Sequence, residues 1–272
     1  MKAMLFAAGL GTRLRPLTND KPKALVEVKG VPLLEIAIRR LIHAGCREVI
    51  VNVHHFAGQV IEFLERKNHF GIHVAISHEE DSLLDTGGGL KKAAWFFNKK
   101  EPFLVCNADV LTNLDLRKFY EVHLRSHAIA TLAIRHRKTS RYFLFDKNLC
   151  LQGWQNAKTG EVRTCSNAEC GIRNVEFEDP GSAFPPGDST FRIPYSAFEQ
   201  WAFSGIHVIS PEIFEWMPSQ DVFSIIDVYL KVAGHVPVKG FPHDEDFWMD
   251  VGKPAELEKA EQLAATFLTG IL

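Results

Sequence analysis

Apolar positions in the first half of the chain fall into two alternating patterns. Short runs that are apolar on both faces occur at Lys2–Ala7, Glu48–Val53, Ile72–Ser77, Phe103–Cys106 and Ile129–Ile134. Such runs read as strands covered on both sides. Between them, apolar residues recur at helical spacing over Leu33–Ala44, Ala57–Lys67, Gly89–Phe97 and Leu116–Ser126. Strand alternating with helix predicts parallel strands joined by right-handed crossovers. The expected fold class is α/β, with a doubly wound, mostly parallel sheet.

The rhythm changes after Arg135. Phe143–Leu151 reads as two strands around a turn at Asp146–Asn148. Residues 156–200 are rich in Gly, Pro, Ser and Asn and show no helical period, as a long functional loop or lid would. Regular patterning resumes with a strand at Phe203–Ile209, a helix at Phe223–Ala233 and a strand at Val236–Phe241. A last helix, Pro254–Leu268, opens with proline in its first turn. The organisation expected is one domain over 1–272, with a β-rich and loop insertion at 136–200.

Composition narrows the class. The 272 residues are 46% apolar and 24% charged, with a net charge of -2, as in an ordinary globular protein. A near-neutral chain gives no global attraction to nucleic acid or to an anionic membrane, so neither is an expected partner. Any phosphate must be held by local groups. Five cysteines, an odd number in a long chain, argue against a disulfide framework and for a reducing, cytoplasmic compartment. No apolar run approaches a membrane span. The apolar start, Met1–Ala8, runs straight into Gly9 with no cleavage region, so it reads as a buried strand rather than a signal peptide.

The first candidate chemistry follows that strand: Ala8-Gly9-Leu10-Gly11-Thr12-Arg13-Leu14-Arg15-Pro16-Leu17-Thr18, then Pro22-Lys23-Ala24-Leu25. A glycine loop at the carboxyl end of a parallel strand is where an open sheet binds ligands. Glycines let backbone N–H groups approach phosphate oxygens, and Arg13 and Lys23 add charge. The dinucleotide fingerprint is excluded by Leu14 at its third glycine, and no Gly-Lys-Ser/Thr of a P-loop is present. The bland alternative is a tight turn with exposed bases.

Two acids stand at comparable places. Asp109 follows the Phe103–Cys106 run, and Asp250 lies in Phe247-Trp248-Met249-Asp250-Val251-Gly252. Carboxylates distant in sequence can meet at one sheet edge and hold Mg²⁺, which takes few protein oxygens and keeps water and phosphate in its other positions. Singly, Asp109 would pass as a cap and Asp250 as a surface acid beside Asp244, Glu245 and Asp246. A third feature, Asp85-Thr86-Gly87-Gly88-Gly89, precedes a helical stretch and could offer backbone amides, or be only a flexible turn.

Taken together, these motifs resemble the sugar-1-phosphate nucleotidyltransferases, in particular the small N-acetylmuramate-1-phosphate uridylyltransferases and mannose-1-phosphate guanylyltransferases. The resemblance covers roughly residues 1–135 and 202–268 and leaves 156–200 outside it. It implies a Rossmann-like nucleotidyltransferase fold and a reaction between an NTP and a sugar 1-phosphate that yields an NDP-sugar and pyrophosphate. It further implies that Ala8, Gly9, Gly11 and Thr12 contact the nucleotide, Arg13 the departing pyrophosphate and Lys23 the phosphates. Asn107-Ala108-Asp109 and Trp248–Gly252 resemble its metal motifs, so Asp109 and Asp250 would hold Mg²⁺. Ala108 stands where glycine is common, and Lys253 where threonine is usual. Gly87 and Gly88 would line the base, and Phe203-Ser204-Gly205-Ile206 resembles a strand beside the sugar, with Gly205 next to it. The Thr-Gly-Gly-Gly form favours UTP. The rivals are a cytidylyltransferase acting on phosphocholine or a similar phosphate, a nucleotide-sensing subunit without catalysis, and a glycosyltransferase, whose usual metal motif is Asp-x-Asp where this chain has Asn107-Ala108-Asp109. Base, sugar and oligomeric state stay open at this stage.

Cys165-x₄-Cys170 has no second ligand pair at zinc-site spacing. His54-His55 reads equally as a pair of metal ligands or as a strand-to-helix connection, and Trp154 and Trp201 read as core in preference to stacking on a sugar or base. Glu35, in the first helix, reads as a packing or capping acid.

Overall fold

The structure is a computed structural model that describes residues 1–98, 100–165 and 198–269. In chain order the strands are β1 (Lys2–Phe6), β2 (Glu27–Val28), β3 (Val31–Pro32), β4 (Glu48–Val53), β5 (His73–His78), β6 (Phe103–Asn107), β7 (Val110–Thr112), β8 (Ala130–Arg135), β9 (Arg141–Phe145), β10 (Leu151–Asn156), β11 (Val162–Thr164), β12 (Glu199–Ile209), β13 (Val238–Pro242) and β14 (Trp248–Asp250). The helices are α1 (Leu33–His43), α2 (Ala57–Arg66), α3 (Asp85–Lys92), α4 (Leu116–Ser126), α5 (Ile225–Val232), α6 (Pro254–Gln262) and α7 (Ala264–Leu268).

Strands β5, β4, β1 and β6 lie side by side and parallel. Period-2 alternation explains why both faces are apolar. Ala3 and Leu5 of β1, Val49 and Val51 of β4, and Leu104 and Cys106 of β6 pack on one face with α1, α2 and α4. Met4, Ile50, Phe103 and Val105 pack on the other with α3 and α5. The doubly wound sheet is therefore as expected, parallel from β5 to β6 and between β8 and β13, and antiparallel where later strands join it. Strand β12 enters between β6 and β8, antiparallel to both, and β8 pairs in parallel with β13. A strand late in the chain thus occupies the centre, a placement that apolar periodicity does not encode.

The amino-terminal end of β12 leaves this sheet to pair with β9, which continues antiparallel through β10 to β11. The change of partner coincides with an irregularity between Phe203 and His207, where Gly205 takes φ 74. Residues 166–197, the greater part of the Gly/Pro/Ser/Asn-rich stretch, and Cys170 lie outside the described residues. Trp154 and Trp201 are both buried in the core, as expected.

Several elements differ from the periodicity. The helix expected from Gly89 begins at Asp85, and a separate 3₁₀ turn covers Ala94–Phe96. The last helix divides at Leu263. The two short strands β7 and β14, which carry no periodic signal, pair with each other outside the main sheet. Beneath them Leu14, Val26, Leu33, Ile36, Leu111, Met249 and Phe267 form a third apolar cluster that anchors the glycine loop through fully buried Leu14.

Three histidines are buried as neutral rings. His207 in β12 pairs with the Tyr229 hydroxyl, His123 in α4 lies between the hydroxyls of Thr131 and Ser210, and His243 meets Ser204 Oγ at 2.7 Å. Burial pushes His207 down to about 3 and His123 and His243 to about 4. A depressed pKa stabilises the fold fully above the unfolded value of about 6.5, and that contribution is lost as pH falls toward the folded value. Stability should therefore decline between pH 6.5 and 4, each histidine contributing a slope of about 1.4 kcal/mol per pH unit. Urea unfolding at pH 7, 6 and 5 measures this; a flat midpoint would mean that the rings titrate in the fold as they do in the unfolded chain.

Candidate active site

The glycine loop leaves β1 at the carboxyl end of the sheet, and its first turn is held by a side chain from the neighbouring strand. Asn52, 2% exposed at the end of β4, accepts the Ala7 and Ala8 N–H groups on Oδ1 at 2.8 and 3.3 Å. Gly11 adopts a left-handed conformation with φ 64, and a Cβ there would come within 3.0 Å of Lys23 Cβ and Thr18 Cγ2. Glycine is required both for this conformation and for the approach of Lys23. Thr18 Oγ1 donates to Gly11 O at 2.8 Å and closes the loop on itself. Gly9, Thr12 and Arg13 stay exposed, while Leu14 is buried.

Lys23 carries the loop to the acids. Its ammonium donates to the Asp109 carboxylate and stands 3.7 Å from Asp250 Oδ1. The two acids meet because β7 and β14 pair with Asp250 opposite Val110, and Val251 N donates to Asp109 O at 3.0 Å. Arg13 reaches the same place. A Cβ added to Gly252 would lie 3.0 Å from Arg13 Nη2 and 3.4 Å from Asp250 Oδ1. The structure therefore brings together Arg13, Lys23, Asp109 and Asp250.

The electrostatics of this cluster are unfinished. Although the Asp250 side chain is partly exposed, its Oδ1 is shut from water and receives no hydrogen bond. Burial raises the Asp250 pKa, and the Asp109 charge raises it further, against Lys23 and Arg13. A second cation between the acids would satisfy the orphaned oxygen. No group of three or more His, Cys, Asp or Glu side chains among the described residues could hold a metal by itself. Two carboxylates suit instead a hard divalent ion that completes its shell with water and phosphate oxygens.

Behind the loop lies a network without a motif. Asn52 Nδ2 donates to Glu79 Oε1 at 2.6 Å, and Glu79 Oε2 accepts Leu84 N at 2.9 Å. One buried amide and one buried carboxylate thus tie the first glycine loop to the second glycine cluster. Asn52 was legible only as a polar residue inside the apolar run Glu48–Val53, and Glu79 carried no signal.

The second cluster lies within α3 rather than ahead of it. A Cβ on Gly87 would strike the Phe223 ring at 2.4 Å, one on Gly88 the Asp221 carbonyl oxygen at 1.9 Å, and one on Gly89 Glu79 Oε1 at 2.8 Å. The N–H groups of Gly87 and Gly88 both donate to Phe223 O, at 2.9 and 3.2 Å. In this conformation those two amides are engaged by the 221–223 segment. Gly205 abuts Asn107, whose Nδ2 would be 2.7 Å from an added Cβ, so the bulge of β12 touches the strand that leads to Asp109. Glu35 is a packing acid, bound by Arg39 at 2.8 Å and Lys67 at 3.0 Å. His54 and His55 occupy the connection between β4 and α2.

Comparison with known proteins gives a consistent result. The nucleotidyl transferase family model matches residues 2–144. The N-acetylmuramate alpha-1-phosphate uridylyltransferase of Caulobacter vibrioides is 31% identical over 96% of this chain and 96% of its own length. The mannose-1-phosphate guanylyltransferase catalytic subunit beta of Drosophila melanogaster is 27% identical over 99% of this chain and 62% of its own. Among solved structures, HddC from Yersinia pseudotuberculosis in complex with GMP-PN superposes with a TM-score of 0.68 at 21% identity, over 96% of this chain and 98% of that one. The inositol-1-phosphate CTP transferase from T. maritima gives 0.72 at 16%, over 100% and 97%. These structural likenesses identify the fold. No helix among the described residues is long and apolar enough to cross a membrane.

Replacing Asn52 by Ala should leave Glu79 Oε1 and the Ala7 amide buried without partners. The expected cost is about 3 kcal/mol of folding stability, measurable by urea unfolding; a loss below about 1 kcal/mol would mean that the network does not hold the loops.

Proposed function

Because this chain belongs to the nucleotidyl transferase family, we propose that it joins the nucleoside monophosphate of an NTP to a sugar 1-phosphate and releases pyrophosphate. The observation that carries this reading is the convergence of Arg13 and Lys23 from the glycine loop with Asp109 and Asp250 at one edge of the sheet. Relatives similar over nearly the full chain act on sugar 1-phosphates, and uridylyltransferases among them support UTP as the nucleotide. The whole of 1–272 is taken as one nucleotidyltransferase domain. Within it, 136–200 is taken as an insertion, whose described strands β9, β10 and β11 extend the sheet from the start of β12.

The chemistry requires little from acid–base groups. The nucleophile is a phosphate oxygen of the sugar 1-phosphate, already ionised at neutral pH. It bonds to the α-phosphorus as the bond from that phosphorus to the β-phosphate bridging oxygen breaks, and pyrophosphate carries the electron pair away. No covalent enzyme intermediate and no catalytic histidine are needed. The barrier lies in bringing two anions together in line, so catalysis is positioning plus charge neutralisation. Ala8, Gly9, Gly11 and Thr12 present backbone to the triphosphate, and Gly87 and Gly88 line the base side. Arg13 neutralises the departing pyrophosphate, and Lys23 neutralises the phosphates beside the acids. Asp109 and Asp250 would hold a divalent cation, assigned as Mg²⁺, which supplies charge stabilisation on the triphosphate.

Pyrophosphate release with Mg²⁺, crossing four NTPs with sugar 1-phosphates and phosphocholine, tests the reaction. Signal is expected only when UTP and a sugar 1-phosphate are both present. Signal with phosphocholine would reassign the acceptor, and nucleotide binding with silence across all acceptors would contradict the proposal. In the same assay Asp109→Asn should lower turnover by roughly 1000-fold with an unchanged circular dichroism spectrum; near-wild-type turnover would remove Asp109 from the site.

A further inference from the structure

The strand that carries Asp250 is met by cations at three successive alternate positions. Trp248 and Asp250 lie on one face of β14, and Gly252 continues the alternation beyond the strand's end. Opposite Gly252 stands Arg13, opposite Asp250 stands Lys23, and over Trp248 lies Arg137, with its guanidinium carbon 4.5 Å from the ring centre. The first two belong to the glycine loop. Arg137 comes from the far side, just past the end of β8, where it donates from Nη2 to Phe203 O at 3.0 Å, next to Gly205. No motif drew attention to it.

Arg137 is half-buried, yet no carboxylate among the described residues lies within ion-pair distance of it. Its Nε is buried with no hydrogen-bond partner. The neighbouring Arg135 also faces Trp248, at 5.8 Å, but it is already committed to the Asp244 and Asp246 carbonyl oxygens. Burial lowers the Arg137 pKa, with Asp250 the opposing charge that acts most strongly on it. A guanidinium kept in place by stacking, with donors to spare and no anion of its own, is suited to binding an oxyanion that arrives with the substrate.

We infer that Arg137 binds the phosphate of the acceptor, as the acceptor-side counterpart of Arg13 and Lys23. This rests on the nucleotidyl transfer reading above. The line of cations then has a division of labour. Arg13 and Lys23 serve the triphosphate from the loop side, and Arg137 draws the sugar phosphate in from the Gly205 side, so that the two anions approach across Asp250. Neither Arg15 nor Lys21, the other bases of the loop, touches this strand among the contacts of the described residues.

The test is steady-state kinetics of pyrophosphate release in wild type, Arg137→Gln and Arg137→Lys, with the unphosphorylated sugar as a competitive inhibitor. Losing one charge-assisted contact should raise the KM for the sugar 1-phosphate about 10- to 100-fold in R137Q. The KM for the NTP should stay within about twofold, and the inhibition constant of the neutral sugar should not change. R137K, which keeps the charge but not the fork, should recover part of the acceptor KM. Equal weakening of the neutral sugar, or a rise in the NTP KM of the same size, would show that Arg137 only props Phe203 and Trp248, and would overturn the inference. An unchanged acceptor KM in R137Q would overturn it too. Wild-type silence with every acceptor would instead remove the reaction itself, and this assignment with it.

Discussion

Repulsion between negative charges is the constraint on which the site depends. Two aspartates separated by about half of the chain are brought to one place, and the proposed substrates would add phosphates to it. The polypeptide answers with cations delivered by separate elements. Lys23 follows a glycine loop that has to be tight enough for Gly11 to touch its Cβ. Asp250 arrives on a three-residue strand whose sheet partner is β7, the strand that follows Asp109. The pair of acids is thus built from backbone pairing rather than from one local motif, and the third apolar cluster beneath it fixes both partners to the glycine loop.

A second layer holds the backbone of the two glycine segments. Asn52 and Glu79 sit at the carboxyl ends of neighbouring parallel strands and bond outward to two different loops. Their satisfaction is mutual: removing either leaves a buried polar group unpaired, which makes the network rigid. The three glycines of α3 serve the same end by sterics. Each admits a neighbour that a methyl group would exclude, so the helix is pressed against Phe223, Asp221 and Glu79.

Much of this was readable in the chain. The parallel strands, the helices between them and the approximate ends of most elements follow from apolar period, because buried strands and amphipathic helices leave different spacings. Arg13, Lys23 and Asp109 were legible because they sit in short motifs after buried strands, and Asp250 because Trp248–Gly252 resembles a family motif. What was not legible depends on contacts across long sequence separations. The central place of β12, the pairing of β7 with β14, and the Asn52–Glu79 bond leave no local trace. Gly87 and Gly88 could be read as anion-binding amides, yet in the fold their N–H groups go to Phe223 O, a partner more than 130 positions away. Arg137 was hidden for the same reason: its meaning comes from Trp248, on another element.

The central claim is that Asp109 and Asp250 form one divalent-metal site. Titration of Mn²⁺ by electron paramagnetic resonance, with nucleotide present, measures it in wild type, Asp109→Asn, Asp250→Asn and the double variant. A single site weakened to a similar extent by either substitution, with the double variant little worse than the singles, is the result predicted. Mn²⁺ affinity left unchanged by either substitution, or losses that add independently, would contradict it.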